Sequence, residues 1–159
     1  KHFRDFMTKS LVLTLRPQEG RVRFEDFRAV WAQAEAKGWT FAAKSVIFRT
    51  NTGADPAHKT FSGTDWPFLE AAIGGFLREQ GVDHLIIDQP SVDQEEDGGA
   101  LACHHAFWGK QPEESLHRTI TELVHVPQAV NDGPYALLLQ VAPLENDAAP
   151  SRPLLYSLG

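Results

Sequence analysis

The sequence predicts a domain of the α/β class, and three observations carry that reading. Short apolar runs (LVLTL, SVIF, LII) read as strands, stretches of helical apolar spacing alternate with them, and Gly or Pro stands at the junctions. The alternation is also compatible with α+β, where helices and strands segregate. A chain of 159 residues suits one domain spanning 1–159 and leaves little room for two. At this length folding hides about 70% of the unfolded surface, enough for one sizeable core.

Leu11–Leu15 reads as the first strand, ended by Pro17 and the Glu19-Gly20 turn. From Arg23 to Lys37, Phe24, Phe27, Val30, Trp31 and Ala34 recur at helical spacing, and Gly38 stands where a C-terminal cap belongs. Ser45–Phe48 is a second strand, which delivers Arg49 at its C-terminal end. Gly53, Pro56 and Gly63 mark residues 51–65 as a long loop. Asp65 is placed to cap a helix with Pro67 in its first turn, running to about Gln80. Leu85–Ile87 is a short buried strand broken by Asp88-Gln89-Pro90, and an acidic loop follows to Ala100. A short helix from near Leu101 carries Cys103, His104, His105 and Phe107. Arg118–Val126 alternates as a strand, Ala136–Val141 is another, and Leu154–Ser157 closes the sheet.

Composition excludes several classes. Fifteen Lys and Arg against 21 Asp and Glu give a charge of -6, without long runs of either sign. A general nucleic-acid binder needs a basic face, so no nucleic-acid partner is expected. The longest apolar stretch, Tyr135 to Ala142, includes Gln140 and is too short to cross a bilayer. The single cysteine, Cys103, rules out an intrachain disulfide and a Cys-rich zinc site. These features lean towards the cytoplasm. The chain opens on Lys1 rather than methionine, which leaves room for a removed signal sequence.

The densest pair of proton carriers or metal ligands is His104-His105. Neighbours on a helix point in different directions, so at most one faces a given site. A surface His beside a packing His is the equal alternative. In an extended Arg118–Val126, Glu122 shares a face with Ile120, Val124 and Val126. A carboxylate buried among aliphatic side chains must be paired, protonated or bound to a cation, whereas on an edge strand it meets water. Asp88 ends the most hydrophobic strand, and the loop beyond supplies Ser91 and Asp93. Strand C-termini in open α/β sheets are frequent ligand positions, but Asp is equally common as a turn residue. Arg49, also at a strand end, fits an anion-binding role or a structural ion pair. Trp66, Phe107 and Trp108 suit an aromatic wall or the core. His58, His84, His117 and His125 have no useful mutual spacing. Cys103 reads as a small buried side chain, with a Cys-His nucleophile the lesser option.

The succession of these segments resembles the putative cyclase family, which includes bacterial kynurenine formamidases (arylformamidases). The residues that carry the resemblance are GVDHLIIDQPSVD at Gly81–Asp93, ACHHAFW at Ala102–Trp108 and TITELVHVP at Thr119–Pro127. The IFRT run at Ile47–Thr50 and the segment Ala142–Pro153 fit as well, so the likeness runs from about residue 10 to the end. It implies a swivelling β/β/α fold, with a mixed sheet and flanking helices. It also implies a hydrolase dependent on a divalent metal, zinc or manganese, in which metal-activated water attacks an amide or lactone carbonyl. N-formylkynurenine is the typical substrate.

Carried over by position, His104 is the site histidine and a metal ligand, and Glu122 the acidic ligand or proton-transfer partner. Arg49, Asp93 and Trp108 are the expected substrate-binding residues. The family's main metal motif, H-x-G-T-H-x-(D/E), lies N-terminal to everything matched and has no copy here. Ser62-Gly63-Thr64-Asp65 echoes only its middle and falls too late in the order. A catalytic zinc takes three protein ligands plus water, so His104 and Glu122 ligate the metal incompletely. The expectation is that the chain starts just downstream of the motif and is inactive alone. Two alternatives remain: a non-catalytic ligand-binding or assembly module that kept the fold without the metal, and a second polypeptide supplying the missing ligands. A homo-oligomer is in keeping with the family.

Overall fold

The computed structural model of the chain describes residues 6–50, 60–109 and 116–158. Its strands are β1 (Met7–Thr14), β2 (Arg21–Val22), β3 (Ser45–Arg49), β4 (Phe68–Leu69), β5 (His84–Ile87), β6 (Thr119–Thr121), β7 (Gly133–Val141) and β8 (Ser151–Ser157). The helices are α1 (Phe24–Ala36), α2 (Ala71–Glu79) and α3 (Ala102–Trp108). Six strands form one mixed sheet in the order β6-β5-β3-β1-β7-β8, and β2 pairs with β4 separately. The run from β6 to β1 is parallel, while β7 and β8 join antiparallel.

Register explains why the central strands are apolar on both sides. Leu11, Val46 and Leu85 lie level across β1, β3 and β5, as do Leu13, Phe48 and Ile87. These rows face the three helices and pack with Phe27, Trp31, Ile73, Leu77, Cys103 and Phe107. The intervening row, Val12, Ile47 and Ile86, faces the other way and packs with Val126, Leu137 and Leu139. A strand covered on both faces loses the polar alternation of a half-exposed one. An aromatic group of Phe24, Phe27, Trp31, Phe48 and Phe76 joins α1 and α2 to the sheet.

Helix α1 ends as expected. Gly38 takes φ 69°, its N–H bonds the Glu35 carbonyl at 2.9 Å, and Trp39 N–H bonds Ala34 at 3.0 Å. That is a Schellman cap, whose left-handed residue favours glycine.

Other boundaries differ from expectation. β1 starts at Met7, four residues before Leu11, because pairing with β7 continues to Leu138. β7 and β8 likewise begin earlier than Ala136 and Leu154, since their mutual pairing runs from Tyr135–Ser157 to Val141–Ser151. The helix expected after Asp65 begins at Ala71; Asp65 is left-handed at φ 47°, and Phe68–Leu69 pairs with β2 instead. The loop predicted over residues 51–65 lies outside the described residues up to 59, as does His58.

The largest correction concerns Arg118–Val126. Only Thr119–Thr121 is strand, because Leu123 turns left-handed at φ 57° and bends the chain away from β5. Ile120 packs on the helix side of the sheet, whereas Val124 and Val126 pack on the opposite side. Glu122 therefore sits in a bend and does not share a face with them.

No helix among the described residues is long and apolar enough to cross a membrane.

Candidate active site

Helix α3 brings the site together, and a glycine lets it do so. A Cβ on Gly74 of α2 would lie 2.7 Å from the Cys103 carbonyl and 3.1 Å from Phe107 N, so the helices touch backbone to backbone. Leu101, left-handed at φ 42°, precedes α3 and offers no side-chain cap. Asp93 fills that role from the preceding loop. Its Oδ1 accepts Cys103 N–H at 2.7 Å and its Oδ2 accepts His104 N–H at 3.1 Å, satisfying two donors a helix start leaves open.

The same Oδ2 lies 2.7 Å from His104 Nδ1. A carboxylate only accepts, so Nδ1 carries the proton and, in the neutral ring, Nε2 is bare. That Nε2 lies 3.4 Å from Glu122 Oε1. Glu122 is anchored by Val92 N–H at 3.0 Å and by the Ser91 hydroxyl. Its bend is held by Leu123 N–H on the Gln89 carbonyl (2.8 Å) and Val124 N–H on the Ile87 carbonyl (3.1 Å). Two indoles border the dyad: Trp108 meets the His104 ring edge-on at 5.0 Å, and Trp66 Nε1 donates to the Asp93 carbonyl at 3.2 Å.

Electrostatics separates the two carboxylates. Burial pushes both up, but Asp93 ends below its ordinary value, because His104 and the Cys103 and His104 amides outweigh burial. Glu122 ends above its ordinary value: burial dominates, and Val92 N–H, His104 and Ser91 compensate only partly. Burial, with the nearby Asp93 and Glu122, pushes the Cys103 thiol up to about 12. It is fully buried and neutral at physiological pH, as a packing residue and not a nucleophile.

Of the residues singled out from sequence, His104, Glu122, Asp93 and Trp108 meet in one place. Asp93 is 4% exposed and turned onto α3, so its geometry is that of an orienting partner to His104 and not a substrate contact. His105 is exposed, its ring edge-on to Trp108 at 6.5 Å. Phe107 is core. Asp88 accepts Thr50 N–H and hydroxyl, a local tie between strand ends. Arg49 stands apart. Its five N–H groups go to Thr14, Pro127, Val130 and Asp132, and its Nη2 pairs with Asp132 at 3.0 Å. The structural ion pair is the role this geometry gives it, with no donor left for a substrate.

Ser91, expected in a ligand-bearing loop, and Trp66, expected in an aromatic wall or the core, both border the site, and Gly74, which the sequence reading had not singled out, completes it. The Gly74-Gly75 pair inside a helical pattern is the one local signal, since such glycines mark close backbone approach. A backbone donor such as Val92 N–H carries no side-chain signal at all.

Nε2 of His104 and the Glu122 carboxylate converge, one a bare imidazole nitrogen with its other nitrogen held by a carboxylate, the other an anion short of compensation. Both are donor types that a divalent cation takes, and the Asp93–His104 bond is the usual outer support of a ligating histidine. Among the described residues no group of three or more His, Cys, Asp or Glu side chains is placed to hold a metal. These two residues thus fit as part of a cation site.

A family model described as "Putative cyclase" matches residues 2–94, ending just after Asp93. A kynurenine formamidase of Bacillus cytotoxicus is 39% identical over 93 residues, 58% of this chain and 41% of that protein. Two solved structures share the fold at 17% identity, each covering 94% of this chain. One is a potential metal-dependent hydrolase with cyclase activity (TM-score 0.67, 65% of that chain); the other is a predicted metal-dependent hydrolase from Bacillus stearothermophilus (0.65, 63%). The match to the curated relative spans about two fifths of that protein's length. With more than half of its residues matched by the family model, this chain belongs to the cyclase family.

Proposed function

We propose that the chain is part of a metal-dependent hydrolase that cleaves an amide or lactone carbonyl, with an N-formylkynurenine-like aryl amide as substrate. The observation that carries the reading is the line Asp93–His104–Glu122, in which one carboxylate fixes the imidazole and Nε2 faces a second carboxylate of raised proton affinity. His104 and Glu122 would hold the cation, zinc or manganese. When bound, such an ion supplies Lewis acidity, polarising a carbonyl and acidifying water.

The chain's own groups do the rest. Glu122, which burial pushes above the ordinary carboxylate range in the metal-free chain, is suited to accept a proton wherever the cation leaves one of its oxygens free. Asp93 stays ionised and compensates positive charge on His104. Trp108 shields one side of the imidazole from water. The family relationship supports the hydrolase class, and the relative named a kynurenine formamidase supports the aryl amide.

Metal content and hydrolysis of a formylated aromatic amine, measured together on purified protein, test the reading. Bound metal with turnover, both lost in His104→Ala, would uphold it. A chain that takes no metal after loading but binds the amine would favour the non-catalytic binding module.

A further inference from the structure

A second feature bears on how the His104 dyad is held. Residues 61–69 run alongside 92–95 in the opposite direction and are tied to them at three successive points. Leu69 N–H bonds the Val92 carbonyl at 2.9 Å, Trp66 Nε1–H the Asp93 carbonyl at 3.2 Å, and Gly63 N–H the Glu95 carboxylate at 3.1 and 3.0 Å. The far turn is shaped for this. Phe61 is buried, Thr64 N–H closes onto its carbonyl at 2.9 Å, and both Gly63 (φ 72°) and Asp65 (φ 47°) are left-handed. A left-handed aspartate costs free energy that persists only where surrounding ties over-determine it.

The middle tie falls on Asp93, whose carboxylate already serves Cys103 N–H, His104 N–H and His104 Nδ1. Main chain and side chain of this one residue are thus clamped from opposite sides, by the strap and by α3. We propose that Trp66 is a positioning residue: its indole N–H, steadied by the Glu95–Gly63 rung, fixes the Asp93 main chain so that its carboxylate holds the His104 ring through Nδ1 in one orientation. Three donors on two oxygens need a defined carboxylate plane, because hydrogen bonds weaken steeply with misalignment. A peptide free to rock at Asp93 would let that plane turn. The inference rests on the proposed function only for what the His104 ring is used for; the hold on the ring belongs to the chain itself.

Nitrogen-15 spectra of the imidazole rings in the 159-residue chain read this directly. Wild type is expected to show one His104 tautomer and a slowly exchanging Nδ1 proton. Trp66→Phe keeps the ring but deletes the donor. It should mix the tautomers and speed that exchange about fivefold, the worth of one hydrogen bond. Glu95→Gln, which weakens only the outer rung, should give a smaller change in the same direction. An unchanged His104 signal in folded Trp66→Phe overturns the proposal. If that variant does not fold, Glu95→Gln decides, and an unchanged signal there overturns it as well. Hydrolysis by the complete protein separates the two readings. An altered tautomer with His104→Ala fully active would sink the hydrolase role of His104 and leave the strap standing; an unaltered tautomer with His104→Ala inactive would do the reverse.

Discussion

Asp93 Oδ2 lies 2.7 Å from His104 Nδ1 and also accepts the His104 amide at 3.1 Å, so one oxygen fixes both the helix start and the ring it presents. The ring cannot turn without leaving the oxygen that also caps α3.

Asp93→Asn should therefore cost more than its near-identical size suggests. Losing the orienting carboxylate of a ligating histidine lowers metal affinity about 10- to 100-fold, measurable by competition with a chelator. Stability should change too. Asp93 is held below its ordinary value, so its ionised form contributes stability that is present above the unfolded-state value and lost as pH falls through the folded one. Denaturant titrations of the variant from neutral to acidic pH should lack that part of the acid loss. Parallel curves for the two proteins would remove Asp93 from this role.

Glu122 works in the opposite sense. Its proton affinity is raised in the fold, so its contribution is complete below the unfolded value near 4.3 and is lost as pH rises through the folded value. Glu122→Gln should leave the metal-free chain at least as stable at pH 7 as wild type, yet hold less metal. Unchanged metal content would take Glu122 out of the site.

His104→Ala should abolish hydrolysis in the complete protein, whereas His105→Ala should retain most of it. The first ring faces Glu122 and the second is exposed on α3. The reverse order, read in initial rates, would refute the choice between these neighbours.

Gly74→Ala should push α3 off α2, since the new methyl would meet the Cys103 carbonyl at 2.7 Å. Overpacking of this kind costs about 1–3 kcal/mol, and the His104 ring signals should move with it. A melting temperature and spectrum equal to wild type would show that the helix contact yields freely.

Cys103, fully buried with its thiol pushed up to about 12, should resist alkylation at pH 8 until the chain unfolds. Labelling by iodoacetamide should follow the denaturation curve, and Cys103→Ser should leave turnover largely intact. Fast labelling of the native chain, or a large loss of turnover, would revive the thiol nucleophile.

Much was legible in the sequence because it depends on neighbours along the chain. The apolar runs at β1, β3 and β5, the helical spacing of α1 and its Gly38 cap are local signals, each enforced by backbone geometry and burial. The ordered succession of PSVD, ACHHAFW and TITELVHVP pointed to the family and to His104 and Glu122. What pattern could not reveal was where a chain turns for non-local reasons. Glu122 looked like one position in a strand from Arg118 to Val126. Leu123's left-handed turn, stabilised by bonds to Gln89 and Ile87, makes it instead a bend residue aimed at His104. Phe68–Leu69 looked helical until β2, far back in sequence, paired with it.

Roles within the site were decided in the same way. Asp93 and Arg49 are both polar residues beside strand ends, and sequence alone fits either to a ligand. Burial onto α3 makes one the support of a histidine, and five donors spent on Thr14, Asp132 and two carbonyls make the other a structural tie. The sequence by itself determined the central strands β1, β3 and β5, the helix α1 and the residue types available for chemistry, since those follow from local pattern and composition. Only the tertiary structure decided which of those residues meet, because His104 and Glu122 come within 3.4 Å through the bend at Leu123 and the seating of α3 against Gly74, which no local pattern encodes.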